Sequence, residues 1–265
     1  MNHILHLRSL ISGRTFRTDE IDYVDPEYGP DGVVDVVYDY DAVKRDISRE
    51  SLRQNGDRSM WRYKPLLPIE AGAAVPPLQI GWTPIYPTPR LAADLGLRHL
   101  WVKDDGRNPT ASFKDRASAI AVVKGRERGA KVITTASTGN AAAALSGICA
   151  SVGQPNVIFV PEKAPPAKIA QLLAYGATVM LVRGTYDDAF ELCLQAAGAY
   201  GWYNRNTGFN PYMSEGKKTA SFEICEQLGW DAPDRIFVSV GDGCIIGGIH
   251  KGLKDLMALG WIEKM

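Results

Sequence analysis

Lys114 stands in the run Asn108-Pro-Thr-Ala-Ser-Phe-Lys-Asp-Arg116, just after an apolar stretch of Leu100, Trp101 and Val102. An amine held in a tight, partly apolar turn sheds its proton cheaply, because burial disfavours the ammonium form. The free amine can then condense with an aldehyde to give a Schiff base. Most lysines are solvated surface charges, so the tripeptide Ser-Phe-Lys says little alone. Its meaning depends on what else the chain brings to the same place.

Two further segments could serve such a lysine. Thr135-Ala-Ser-Thr-Gly-Asn140, followed by Ala141–Leu145, reads as strand, polar loop, helix. Hydroxyls, a side-chain amide and free N–H groups at a helix start suit a carboxylate or phosphate. Ser, Thr and Asn also make plain N-cap turns, and taken alone that simpler reading wins. Val240-Gly-Asp-Gly-Cys-Ile-Ile-Gly-Gly248 likewise follows an apolar run and opens a helix. Glycines there let backbone N–H groups approach an anion closely. A ligand-free strand-to-helix turn is the plain alternative. The spacing G-x-G-x-x-x-G with no acidic strand end after it argues against a dinucleotide fingerprint, and no Walker A loop is present.

The elements that must position these loops are short apolar runs at Leu100–Lys103, Val132–Thr135, Val157–Val160, Val179–Val182 and Ile236–Val240. Their branched residues predict buried parallel strands. Helical spacing predicts helices over Ala167–Tyr175, Tyr186–Ala199, Lys217–Leu228 and Ile249–Leu259, and one from Asp115 to Arg128. Thr185 is the expected N-cap of the second, with Asp187 and Asp188 on its positive end. Strands alternating with helices predict an α/β protein with parallel sheet, a class that binds ligands at strand carboxyl ends. Residues 1–80 are the least regular part, with an acidic stretch from Asp19 to Asp41 and Pro-rich loops. Asp104, Asp105 and Asp115 read as loop, cap or ion-pair residues, and Trp202-Tyr203 as core or strand.

The chain has 265 residues, 45% of them hydrophobic, with 30 Lys+Arg against 30 Asp+Glu, so no net charge favours nucleic acid or an anionic membrane. A small neutral or zwitterionic ligand fits better. Cys149, Cys193, Cys225 and Cys244 form no C-x-x-C pair and read as small core residues in a reducing, cytoplasmic compartment. Met1–Ser12 is too short and polar for a signal peptide or a membrane span. His3 and His6 near the terminus are a poor metal site.

A lysine, a carboxylate loop and a phosphate loop at strand ends match one ligand inventory. Pyridoxal phosphate (PLP) carries an aldehyde, a phenolic oxygen and a phosphate, and an amino-acid substrate adds a carboxylate.

From about Gly81 to Leu259 the chain resembles the threonine synthase family within the fold type II, tryptophan-synthase-β-like PLP enzymes. The resemblance rests on Gly81-Trp-Thr-Pro84, Lys103-Asp-Asp105, the Lys114 segment, Ser137-Thr-Gly-Asn140, Asn210-Pro-Tyr-Met-Ser-Glu-Gly-Lys-Lys-Thr219 and Gly241-Asp-Gly243. It implies that Lys114 binds the cofactor aldehyde and later moves the substrate α-proton. Asn140 would face the phenolic oxygen, and Gly241, Asp242, Gly243, Cys244 and Ile245 would hold the cofactor phosphate through backbone N–H groups. Ser137, Thr138 and Gly139 would hold the substrate carboxylate. The implied reaction turns O-phosphohomoserine and water into threonine and phosphate.

Three departures qualify the likeness. Ser9, Ser12, Asp25 and Tyr28 stand where relatives often carry zinc-binding cysteines, so no metal is expected. Met213 and Ala141 stand where a basic and a hydroxyl residue commonly meet the substrate phosphate. Lys217, Lys218 or Arg205 could compensate. Finally, the family continues beyond Met265, so the large domain is expected to be incomplete and the chain a C-terminally truncated form, poorly stable and weakly active alone. By resemblance, residues 113–207 form a small α/β domain, and 1–112 (with its extension 1–80) plus 208–265 the large one, with a homodimer possible. A serine/threonine dehydratase-type ammonia-lyase, and a non-catalytic remnant that binds PLP or a partner chain, are the alternatives.

Overall fold

A computed structural model describes residues 3–265, so the first two residues of the large-domain segment lie outside the described residues. The N-terminal part forms β1 (Ile4–Ser9), β2 (Thr15–Phe16) and β3 (Val34–Tyr38), an antiparallel sheet in the order β2-β1-β3. Val34, Val36 and Tyr38 alternate inward along β3, the half-buried pattern of an antiparallel strand. Helices α1 (Tyr40–Asp46) and α2 (Arg49–Gln54) follow, capped by Asp39 and by a Ser48–Ser51 capping box. This order within residues 1–80 was not foreseen from the composition.

Next come β4 (Ile85–Pro87), α3 (Pro89–Asp94) and β5 (Trp101–Lys103). The expectation of a buried parallel strand at Leu100–Lys103 is corrected here. β5 pairs antiparallel with β4 alone, and Val102 is exposed.

The parallel sheet occupies the middle of the chain. It is built by α4 (Lys114–Glu127), β6 (Ile133–Ala136), α5 (Asn140–Ser151), β7 (Asn156–Pro161), α6 (Pro166–Ala174), β8 (Thr178–Val182), α7 (Tyr186–Tyr200) and β9 (Tyr203–Asn204). Every pairing in the order β8-β7-β6-β9 is parallel. All four β6 residues are buried, as the apolar run predicts for a strand covered on both faces. Thr185 caps α7 in a capping box with Asp188, and Gly201 (φ 65°) ends it in the left-handed conformation.

The strand order holds the main consequence for ligand binding. The chain steps from β6 to β7 to β8, then returns through α7 to lay β9 on the far side of β6. A parallel sheet opens a crevice at the carboxyl ends where its winding reverses, here between β6 and β9.

Helices α8 (Tyr212–Lys217), α9 (Thr219–Gln227) and α10 (Cys244–Ala258) complete the described fold. Helix α8 lies so close to α4 that a side chain at Gly216 would meet the Arg116 carbonyl oxygen at 2.2 Å. The strand expected at Ile236–Val240 does not form. Among the described residues no neighbouring strand pairs with the segment, and Phe237 is 85% exposed. Helix α10 begins at Cys244, inside the glycine loop, rather than at Ile249.

Candidate active site

Two buried polar clusters fix the helices that carry the site. Arg116, two residues after Lys114, is fully buried in the first turn of α4. Its guanidinium donates to Glu223 of α9 (2.5 and 2.8 Å), to Asp105 (2.7 Å) and to Thr219 (2.9 Å). Lys103 pairs with the same Glu223 at 2.8 Å, and Thr83 donates to Asp105 at 2.7 Å. Buried charges persist when paired and hydrogen-bonded in this way. Gly81, at φ 77°, has no room for a side chain, because a Cβ would meet Glu223 Oε1 at 2.5 Å. Much of the motif sequence around Gly81, Asp105 and Arg116 thus serves to hold the start of α4. Asp104 accepts from the Gly106 N–H, and Asp115 accepts from the Thr110 N–H and hydroxyl. These aspartates are cap and pairing residues, as the sequence suggested.

The crevice at the β6/β9 reversal is a cavity of about 640 Å³. Lys114, Ser137, Thr138, Gly139, Asn140, Gly241, Asp242 and Ile245 line it, so residues from all three predicted segments converge there. Gly243 and Cys244 belong to the same loop without lining the cavity; Gly243 turns the chain at φ 77° into α10. Tyr186, Asp187, Phe190, Arg205, Asn206 and Thr207 also face the cavity; of these the sequence had pointed only to Arg205, as a cation that could compensate at the substrate phosphate. They arrive there because α7 and β9 return across β6. Asn206 fixes the junction, accepting from Thr135 Oγ1 and the Ala136 N–H, both at 2.8 Å.

Local chemistry differs along the wall. Burial holds the Lys114 amine below the ordinary lysine value, with Asp242 opposing and Arg205 reinforcing the shift. The 137–140 loop turns on itself, the Gly139 N–H donating to Ser137 Oγ (3.2 Å), and leaves the first N–H groups of the twelve-residue α5 toward the cavity. Asn140 Oδ1 accepts from Lys168 Nζ at 3.4 Å. In the third loop, Asp242 Oδ1 accepts the Cys244 N–H at 3.0 Å, and its carboxyl lies below the usual range despite partial burial. A negative group already seats itself at the start of α10, as the unpaired N–H groups there favour.

Met213, at a position where the resemblance implies a basic residue, is fully buried in the hydrophobic core rather than at the cavity. Ala141 does line the cavity. Of the cations that could compensate, Lys218 is consumed by Glu215 (2.6 Å) and Asp255 (2.7 Å). Arg205 and Lys217 are buried, and Arg205 Nη2 and Lys217 Nζ have no hydrogen-bond partner.

At the N-terminus, three of the four positions where relatives often carry cysteines meet. Ser12 Oγ donates to the buried Asp25 carboxylate at 2.8 Å, and the Ser12 N–H donates to Ser9 Oγ at 3.2 Å. Tyr28 meets them only through its backbone, its N–H donating to the Asp25 carbonyl oxygen at 3.1 Å, while its side chain is exposed. Among the described residues no group of three or more His, Cys, Asp or Glu is placed to hold a metal ion. No described helix is long and apolar enough to cross a membrane.

The profile of the pyridoxal-phosphate dependent enzyme family matches residues 77–262. The chain belongs to this family. It is 39% identical to a threonine synthase of Methanocaldococcus jannaschii over 97% of its own length and 63% of the relative's. With a threonine synthase of Methanosarcina acetivorans the figures are 40%, 98% and 62%. The chain therefore spans about three fifths of the length of these curated relatives. Among solved structures, the processed form of threonine deaminase isoform 2 from Solanum lycopersicum superposes with a TM-score of 0.58 at 26% identity, covering 67% of this chain and 48% of that one. Apo diaminopropionate ammonia lyase of Escherichia coli gives 0.60 at 21% identity, over 82% and 62%, and supports the fold alone.

The residues present fit the family's cofactor. An amine of lowered basicity, Lys114, faces the cavity. Gly139 and Gly241 line it, and a Cβ built on either meets nothing within 4 Å. Neither lies in the left-handed region, so packing within the chain does not demand glycine at either place. The room they leave is on the cavity side, where a ligand would approach the backbone.

Proposed function

We propose that this chain carries the cofactor-binding and substrate-binding part of a threonine synthase, a carbon–oxygen lyase acting on O-phosphohomoserine and water to give threonine and phosphate. The observation that carries the reading is the convergence of Lys114, the 137–140 loop and the 241–245 loop on one cavity. Similarity to the two threonine synthases supports it.

When bound, pyridoxal phosphate supplies an electron sink for the pair released at the substrate α-carbon. Lys114 Nζ would hold the cofactor aldehyde covalently and, once displaced by the substrate amine, take the α-proton. Its lowered basicity, caused by burial, favours the free amine that both tasks need. Ser137, Thr138 and Gly139 would orient the substrate carboxylate with the N–H groups at the start of α5. Asn140 would donate its amide to the phenolic oxygen. Gly241, Asp242, Gly243, Cys244 and Ile245 would receive the cofactor phosphate at the start of α10, whose Cys244 N–H the Asp242 carboxylate now holds.

In this reading residues 113–207 form the small domain, and the rest of the chain contributes to the large one. Cytoplasmic location and a homodimer follow from analogy with the family. The threonine deaminase likeness supports a second reading, a dehydratase that releases ammonia and a 2-oxo acid.

The test is the visible spectrum of the purified chain with pyridoxal phosphate, before and after Lys114→Ala. The expected result is a lysine-dependent band that the variant lacks. Phosphate release from O-phosphohomoserine is then expected. An oxo acid formed from serine or threonine with no phosphate release would favour the dehydratase. No band in folded protein would remove both.

A further inference from the structure

Two buried basic side chains, Arg205 in the cavity wall and Lys217 within reach of its charges, each keep a polar atom without a hydrogen-bond partner. Arg205 is 1% exposed; its Nε donates to Ser118 Oγ (3.1 Å) and its Nη1 to Thr207 Oγ1 (2.8 Å), leaving Nη2 without a partner. Lys217, the last residue of α8, is 0% exposed, and its Nζ has no partner. The titratable groups that act on it are Arg205, Cys244, Lys114 and Asp242, all at the cavity or in the loop that closes it. Burying an unpaired charge works against folding, and chains that only need to fold pair such groups. Lys114 and Arg205 line the cavity beside the carboxylates of Asp187 and Asp242, and neither carboxylate hydrogen-bonds Arg205 Nη2 or Lys217 Nζ.

We propose that Arg205 and Lys217 together seat a phosphate monoester dianion in the cavity. Guanidinium and ammonium groups with free N–H bonds in a low-dielectric wall are strong phosphate donors. The start of α10 adds backbone donors on the same side. Two phosphates carry this chemistry: that of the cofactor and, on the threonine synthase reading on which this second source rests, that of the substrate.

The experiment uses the full chain without cofactor and titrates inorganic phosphate by calorimetry into wild type, Arg205→Met and Lys217→Met. Each variant is expected to bind phosphate about tenfold to a hundredfold more weakly, the scale of a lost charge-assisted hydrogen bond. Circular dichroism and thermal melting check folding, and Lys217→Met is expected to melt higher than wild type because it removes a buried unpaired charge. Should Arg205→Met not fold, Arg205→Lys keeps the charge without the fork, and Lys217→Met carries the test. Equal phosphate affinity in wild type and folded variants would overturn the proposal.

Two further arms identify the source. If the cofactor's phosphate sits there, affinity for pyridoxal phosphate falls in the variants while affinity for pyridoxal does not. If the substrate's does, the cofactor-loaded variants keep their cofactor affinity and lose affinity for O-phosphohomoserine but not for homoserine. Residue-dependent phosphate binding without phosphate release from O-phosphohomoserine would leave the seat standing and remove the functional reading. Turnover with residue-independent phosphate binding would do the reverse.

Discussion

Lys217 and Lys218 are consecutive, both fully buried, and opposite in every other respect. Lys218 Nζ contacts Glu215 (2.6 Å) and Asp255 (2.7 Å) and lies 4.0 Å from the centre of the Tyr38 ring. Tyr38 and Tyr40 in turn donate to Glu215 (2.7 Å) and Asp255 (2.6 Å). That cluster joins α8, α10 and β3. Lys217 has Arg205, Lys114 and Asp242 for charged neighbours and no hydrogen-bond partner. Successive helical residues point about 100° apart, so one lysine turns toward Glu215 and Asp255 and the other toward Arg205 and Lys114. Burial alone does not separate a structural charge from a functional one; the counterion does.

Opposite responses to the same substitution follow. Lys218→Met strands Asp255, leaves Glu215 only its longer contact with Lys251 (3.4 Å) and disturbs the tyrosine network, and should cost about 3–5 kcal/mol in denaturant unfolding. Lys217→Met removes a charge that nothing in the chain repays, and should raise stability by about 1–4 kcal/mol. If both variants lose stability equally, Lys217 holds the fold and the contrast collapses.

The contrast also has a pH signature. Burial, with help from Arg205, pushes the Lys217 amine down to about 7. Between pH 7 and the ordinary lysine value of about 10.4 the unfolded chain carries this proton and the folded chain does not. Stability contributed at this site therefore rises with pH, by at most about 1.4 kcal/mol per unit. The advantage of Lys217→Met over wild type should be greatest at pH 7 and below and shrink toward pH 10. Lys114, Cys244 and Asp242 titrate in both proteins, so their effects largely cancel in the difference. A constant advantage across that range would mean that Lys217 keeps its proton when folded.

The two regions were also unequally legible in the sequence. Strands β6 and β7 announce themselves because residues buried on both faces of a parallel sheet must be apolar and favour branched side chains, whereas β8, expected to be buried as well, is an edge strand with Met180 and Leu181 exposed. The Thr185 cap was legible because one hydroxyl and one carboxylate three residues apart make it. Strand β9 has two residues, too few for any period, yet its place beside β6 brings Arg205 to the cavity. Nothing local marks Arg205 or Lys217 as different from Lys218, since each difference is a distance to residues far along the chain. The failed strand at Ile236–Val240 shows the converse, as an apolar run becomes a strand only where a neighbour supplies a ladder. Residues 1–80 were obscured by turn residues and acidic loops, although β3 alternates regularly once its register is known.

The finest test concerns Asp242, the carboxylate that acts on both Lys217 and Arg205. Asp242 holds the Cys244 N–H at 3.0 Å and draws charge from Lys217 and Lys114, so it competes with a phosphate for the same donors. Asp242→Ala should free the N–H and tighten phosphate binding to the cofactor-free chain by a factor of about 3–10, within the range of one modest hydrogen bond. Asp242 also favours the protonated form of Lys217, so its removal lowers the fraction of charged amine near pH 7 and blunts the gain there. At pH 6 Lys217 stays protonated to a greater extent in both proteins, and the gain should be clearest. Weaker binding at pH 6 would mean that the carboxylate serves the seat rather than competing with it. Asp242 would then resemble the Glu215 and Asp255 that keep Lys218 in place, and the line between the two regions would have to be redrawn.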